Sequence, residues 1–215
     1  MLDTYQEIKE WFAAKGDDTY IFNHNIDKNS IVVDLGAYTG VWASRLNKYI
    51  QCKIYLLEPV EQFYKVLENK FNNNQNINYH QVGIGTEDKI LFLSSDKIKQ
   101  DATRITYSDK NNNSNSTNGS NKIQIITLDN MMNYWDIKHI DLLQINIEGA
   151  EYDILENWLK TGIINKIKIL QIQFHNFPEI ENHVSRRKNI QLGLQKNGYK
   201  LKYCFQWVWE AWEKI

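Results

Sequence analysis

The sequence predicts an α/β fold: a doubly wound, mostly parallel sheet with helices on both faces. Short apolar runs rich in Ile, Val, Leu and aromatics recur along the chain, several without the polar alternation of a half-wet strand. Helical patterns separate them, so successive strands need right-handed crossovers rather than tight turns. The segment IVVDLGAYTGVW, residues 31–42, reads as strand, glycine turn and helix start.

The elements follow in order. Residues 4–14 carry Tyr5, Ile8, Trp11 and Phe12 at helical spacing and predict an amphipathic helix. Strands are expected at residues 31–35, 53–57, 77–82, 140–147 and 167–174. Helices are expected at 41–49, 61–71, 151–160 and 185–197, the last stopped by Gly198. Residues 90–94 and 123–128 break the alternation and predict an inserted β-hairpin. They bracket a polar, Asn/Ser-rich stretch that cannot bury enough apolar surface to order itself, so 108–122 is expected to be a flexible loop. The end, YCFQWVWEAW, predicts two late strands in a hairpin against the sheet.

A chain of 215 residues, 42% hydrophobic, suits one domain over 1–215, with 1–30 as an N-terminal helical extension. The net charge of -1 gives no bias towards nucleic acid or an anionic membrane. Cys52 and Cys204 form no disulfide framework or metal spacing and read as buried free thiols of a reducing compartment. The start, MLDTYQEIKEWF, is too acidic for a signal peptide. No apolar run approaches the roughly 18–20 residues that span a bilayer. A soluble, cytoplasmic protein is expected.

The glycine turn points to a ligand. Gly36 and Gly40 would let backbone approach it without a Cβ in the way, and the next helix starts with free N–H groups. The middle glycine of a dinucleotide fingerprint is missing, and so is the Gly-Lys-Ser/Thr of a P-loop. Asp34 would repel an anion and welcome a cation such as S-adenosylmethionine (SAM), which carries an ammonium and a sulfonium. Glu58, ending the next strand before Pro59, is placed to take two ribose hydroxyls. The stretch Gln81 to Ile84, including Gly83, falls on the adenine side. Glu148 sits at the fourth strand's tip, while Glu151 suits the dipole of the following helix.

These pieces, VVDLGAYTG, LLEP, VGIGTEDKILFLS, ITLDNMM, IDLLQINIEGAE and QIQFH, resemble the FkbM-type SAM-dependent methyltransferases over about residues 31–175. The resemblance implies a seven-stranded, Rossmann-like class I sheet and methyl transfer from SAM. The acceptor is most often a hydroxyl on a sugar, a polysaccharide precursor or a secondary metabolite. It assigns SAM to Asp34, Gly36, Ala37, Tyr38, Gly40, Glu58, Pro59, Gln81, Gly83, Ile84, Asn146 and Glu148. Catalysis would fall to His175, Glu148 and Asn146, with His175 or Glu148 as the base and Asn146 orienting the nucleophile.

Departures from the family's pattern qualify that picture. Tyr38 stands where Asn is usual, Gln144 and Asn146 where Lys and Asp are usual, and Gln173 where Glu is usual. Losing a cation and two acids together avoids a lone buried charge, and it removes the best metal ligands, so no metal is expected. The amides leave two alternatives: an N-methyltransferase, and a catalytically degenerate SAM-binding protein. The partners expected are a small-molecule or glycan acceptor, no nucleic acid and no membrane. The aromatic tail of Phe205, Trp207, Trp209 and Trp212 reads as core or a dimer contact, which leaves a homodimer open. The run Arg186, Arg187, Lys188 reads as a solvated helix face.

Overall fold

The computed structural model describes residues 2–93, 107–108 and 122–215. The chain opens with α1 (Leu2–Ala13) and α2 (Gly16–Thr19), then β1 (Ile31–Leu35), α3 (Val41–Tyr49), β2 (Lys53–Leu57) and α4 (Glu61–Phe71). Next come β3 (Ile77–His80), β4 (Gly83–Ile84), β5 (Lys89–Leu93), β6 (Tyr107–Ser108) and β7 (Lys122–Ile126). The second half holds α5 (Leu128–Tyr134), β8 (Ile140–Ile145), α6 (Glu151–Thr161), β9 (Ile167–Ile172), α7 (His183–Lys196), β10 (Tyr199–Phe205) and β11 (Trp209–Lys214).

Seven strands form one sheet in the order β10-β11-β9-β8-β1-β2-β3. β11 runs antiparallel to both neighbours, and the other pairings are parallel. The apolar runs become central strands because both faces are covered. Val33, Leu35, Leu143 and Ile145 pack towards Met131 and Trp158. Val32, Ile54, Leu56 and Leu142 pack the other way, towards Leu46, Leu67 and Phe71. Strand order reverses between β1 and β8: the chain first builds outward to β3, then crosses back to β8 and β9. Open α/β sheets bind ligands above the carboxyl ends of such a pair.

The inserted hairpin is present as β5 against β7, but it belongs to a separate four-stranded sheet, β4-β7-β5-β6. The strands expected to 147 and 174 stop at Ile145 and Ile172, and two further boundaries differ for local reasons. The strand expected to 128 stops at Ile126, because the Thr127 side chain accepts from the Asn130 N–H (3.2 Å) and caps α5. The third strand stops at His80, and Gly83–Ile84 leaves it to pair with β7. The expected loop at 108–122 falls, over 109–121, outside the described residues.

Two side chains expected to be ordinary are not. Arg187 is buried and ion-paired with buried Glu210 across α7 and β11, so it is no solvated face. Cys204, expected to be buried like Cys52, is exposed, because it lies on β10 at the sheet's edge. Trp212 is core. Among the described residues, no helix is long and apolar enough to cross a membrane.

Candidate functional site

A cleft of about 930 Å³, counting the space open to solvent, lies above the tips of β1, β2 and β8. Its lining holds polar groups, Glu58, Asn146 and Glu148, and apolar ones, Val60, Phe63, Ile84 and Ile125.

The turn after β1 is fixed by its neighbours. The Leu57 carbonyl accepts from the N–H groups of Gly36 (3.0 Å) and Ala37 (3.1 Å), which ties the turn to β2. Gly36 has φ +79°, and a Cβ there would sit 2.0 Å from the Asn146 carbonyl of the β8 tip. At Gly40 a Cβ would meet the Phe71 ring at 2.5 Å. The bare faces of both glycines therefore meet protein, where the sequence reading had them facing a ligand.

The two acids share one water-poor region. Asp34 is 1% exposed, and its Oδ1 accepts from Gln144 Nε2 (3.3 Å), the residue beside it in register on β8. Burial, and then the nearby Glu58 charge, push its carboxyl up to about 7. Glu58 accepts from the Tyr38 N–H with one oxygen and from the Val60 N–H with the other, both at 2.9 Å. Burial pushes it up to about 7 even though both N–H groups pull the other way.

The polar row continues past Asp34. Gln171, beside Gln144 in register on β9, lies 2.9 Å from His24 Nε2 through its Oε1. Burial lowers the His24 pKa. The sequence reading assigned neither residue a role, because nothing local marks a pairing across 147 positions.

At the β8 tip, Glu148 has φ +55°, and across the cleft Tyr38 has φ +50°, with its ring 4.3 Å from that of Phe63. Left-handed backbone at non-glycine residues is costly, and such costs concentrate at functional sites. His175 follows β9. Its Nδ1 lies 3.0 Å from Glu151 Oε1, and its backbone N–H donates to the same oxygen (2.8 Å). Its Nε2 faces Glu148 Oε2 at 3.7 Å. The other Glu151 oxygen accepts from the Gly149 N–H (2.8 Å), and Glu151 is fully buried.

Of the residues singled out from sequence, Gly36, Tyr38, Glu58, Pro59, Gly83, Ile84, Asn146 and Glu148 line the cleft. Asp34 is buried behind that lining, Ala37 is buried in the turn, and Gly40 packs on α4. Gln81 is exposed past the end of β3. His175 reaches the cleft through Glu148. From sequence, Glu151 reads only as a helix-dipole acid. No local pattern pairs it with a histidine 24 positions further along the chain.

The chain is 24% identical over 151 residues to Methyltransferase 1 of Beauveria bassiana, covering 60% of this chain and 61% of that relative's length. Solved structures share the fold at low identity. An rRNA methylase from Streptococcus thermophilus superposes with a TM-score of 0.51 at 12% identity, covering 94% of this chain and 95% of that one. A Streptococcus mutans protein in complex with SAH gives 0.53 at 13% identity, covering 94% and 97%. The methyltransferase FkbM domain model matches residues 34–201, most of the chain, which therefore belongs to the FkbM methyltransferase family, whose cofactor is S-adenosylmethionine.

Proposed function

We propose that this chain transfers a methyl group from SAM to a hydroxyl of a small molecule or glycan, such as a sugar or polysaccharide precursor. The single observation that carries this reading is the pair of buried acids at neighbouring strand tips, Asp34 and Glu58, beside a cleft lined by both polar and apolar side chains. The residues present fit the cofactor. Two desolvated carboxyls favour a cationic ligand, which would compensate their burial. Among the described residues, Asn146 Oδ1 and Gln144 Oε1 are buried acceptors without a hydrogen-bond partner. Val60, Phe63, Ile84 and Ile125 offer an apolar slot of the kind a nucleobase fills.

In this reading Asp34, behind the lining, draws the positive amino-acid end by its charge, and Glu58, in the lining, takes ribose hydroxyls through lone pairs left by Tyr38 and Val60. When bound, SAM supplies a methyl on a sulfonium, an electrophile that needs only an aligned nucleophile. Positioning can therefore supply several kcal/mol of the barrier. Glu148 and Asn146 orient the acceptor, and His175 takes its hydroxyl proton. The near-zero net charge favours a small acceptor over nucleic acid.

Two experiments test this. Calorimetric titration with S-adenosylhomocysteine is expected to show binding that Asp34→Ala and Glu58→Ala each weaken by about tenfold or more. Unchanged affinity in both variants overturns the assignment of these two acids to the cofactor. A screen of activated sugars for SAM turnover then tests the acceptor class. Turnover only with amines would move the reading to N-methylation, and binding with no turnover would move it to a non-catalytic SAM-binding protein.

A further inference from the structure

Glu151 and His175 are brought together from α6 and the end of β9, and the consequence concerns which ring nitrogen carries a proton. Glu151 Oε1 lies 3.0 Å from His175 Nδ1 while also receiving the His175 backbone N–H, and Oε2 receives the Gly149 N–H. Both oxygens are thus already acceptors towards backbone donors. A carboxylate in that position offers the ring an acceptor and no donor. Glu151 is within hydrogen-bond distance of the ring at Nδ1, whereas Glu148 Oε2 stands 3.7 Å from Nε2, so the neutral imidazole keeps its proton on Nδ1 and its lone pair on Nε2, towards Glu148 and the cleft.

The ring has little freedom to escape this arrangement. Its backbone carbonyl accepts from the buried Tyr152 hydroxyl (2.7 Å), and the Phe177 ring lies 4.9 Å from it. Gly149, next to Glu148, is itself closed in, since a Cβ there would meet Ile180 at 3.0 Å. The acid that fixes the ring and the acid that faces the cleft are thus set three positions apart on one tight turn between β8 and α6.

We propose that Glu151 is a positioning residue for methyl transfer: it fixes His175 in the Nδ1-protonated form, so that Nε2 accepts the acceptor's hydroxyl proton. The inference rests on the hydroxyl-methylation reading. With SAM bound, the hydroxyl proton would pass to Nε2 and the freed oxygen pair would bond the methyl carbon as its bond to sulfur breaks; that bond's electron pair returns to sulfur, S-adenosylhomocysteine leaves, and the ring's positive charge rests against Glu151. This is the logic by which a buried carboxylate selects a histidine tautomer in hydrolase triads. The helix dipole alone would leave the Glu151 side chain in solvent, whereas here it is fully buried.

The decisive measurement is nitrogen-15 NMR of the unmodified protein with S-adenosylhomocysteine, taken upward in pH until the ring is neutral. The His175 signals are those missing from His175→Gln. A neutral ring protonated on Nδ1 is the expected result, and protonation on Nε2 overturns the proposal. With an acceptor in hand, Glu151→Gln is expected to lower kcat about a hundredfold with unchanged S-adenosylhomocysteine affinity. Wild-type kcat in that variant also overturns the proposal. Full activity in His175→Gln would instead strike at the base role in the proposed function, leaving the tautomer result standing.

Discussion

Asp34 and Glu58 are acids that the fold keeps from water before any ligand compensates them. Both have carboxyls pushed up to about 7, from ordinary values of 3.8 and 4.5. The folded chain thus binds these protons more tightly than the unfolded chain. Their contribution to stability is fully present below about pH 4 and is lost as pH rises through 7. The unliganded protein is expected to melt about 5 °C lower at pH 8 than at pH 6, and Asp34→Asn should remove much of that difference in differential scanning calorimetry. A cationic ligand needs the ionised acids, so the sign reverses for binding. Affinity for S-adenosylmethionine should rise about tenfold between pH 6 and pH 8 in calorimetric titrations, and flat affinity would refute the charge argument. Both acids were legible in the sequence because each lies at the end of an apolar run. Glu151 was not legible as a partner of His175. The turn at Glu148 and Gly149, with φ +55° and +108°, folds its side chain back under the strand tip, and no periodicity encodes that.

Elements meet at the site through backbone, so a single methyl group can separate them. Gly36→Ala would place a Cβ 2.0 Å from the Asn146 carbonyl, and neither partner is a flexible side chain. The tips of β1 and β8 would have to part, which opens the cleft floor. Gly162, at the end of α6, has a similar φ of +80°, but its nearest neighbour is a side-chain nitrogen of Asn165 at 3.8 Å. Gly162→Ala should cost only the conformational penalty of about 1–2 kcal/mol and leave ligand binding intact. Gly36→Ala should cost more than about 3 kcal/mol and abolish binding, as read by urea denaturation and titration. The glycine turn was legible, but its reason was not, because the atom it avoids lies 110 residues downstream. α5 was missed for a subtler cause. The run ITLDNMM is apolar enough to extend a strand, and only the Thr127 cap marks the change. Between α7 and β11, Glu210 also accepts from Gln191 Nε2 (2.9 Å) and Trp212 Nε1 (2.8 Å). Arg187→Met would leave that carboxylate buried without its cation and should cost about 3–5 kcal/mol, part of which Glu210→Gln in the same chain should restore.

At the scale of the whole molecule, the alternation of strands and helices was enough to anticipate a doubly wound sheet. It was not enough to place β11 between β9 and β10, since antiparallel insertion is fixed by a register set across long separations. The same holds for the first thirty residues, which the family match leaves out. They read as an extension, yet Trp11 is 3% exposed, with its ring 5.2 Å from Phe205, 6.0 Å from Tyr20 and 6.3 Å from Tyr203. Gly16 lets α2 close on the same indole, and a Cβ there would fall 2.1 Å from it. Glu7 accepts from the Gln206 N–H (3.0 Å), and His24 reaches Gln171 inside the sheet. We propose that this segment and the sheet form one cooperative unit, because it covers β10, a strand at the sheet's edge. Trp11→Ala should then cost about 3–5 kcal/mol of global stability, not a local fraying, since a large ring leaves a cavity its neighbours cannot fill. Denaturation followed by far-ultraviolet dichroism and by tryptophan fluorescence should give coincident single transitions in both proteins, the variant's shifted to lower urea. Separate transitions, or a midpoint unmoved by the substitution, would make the N-terminal helices an appendage and confine the cooperative core to residues after 30.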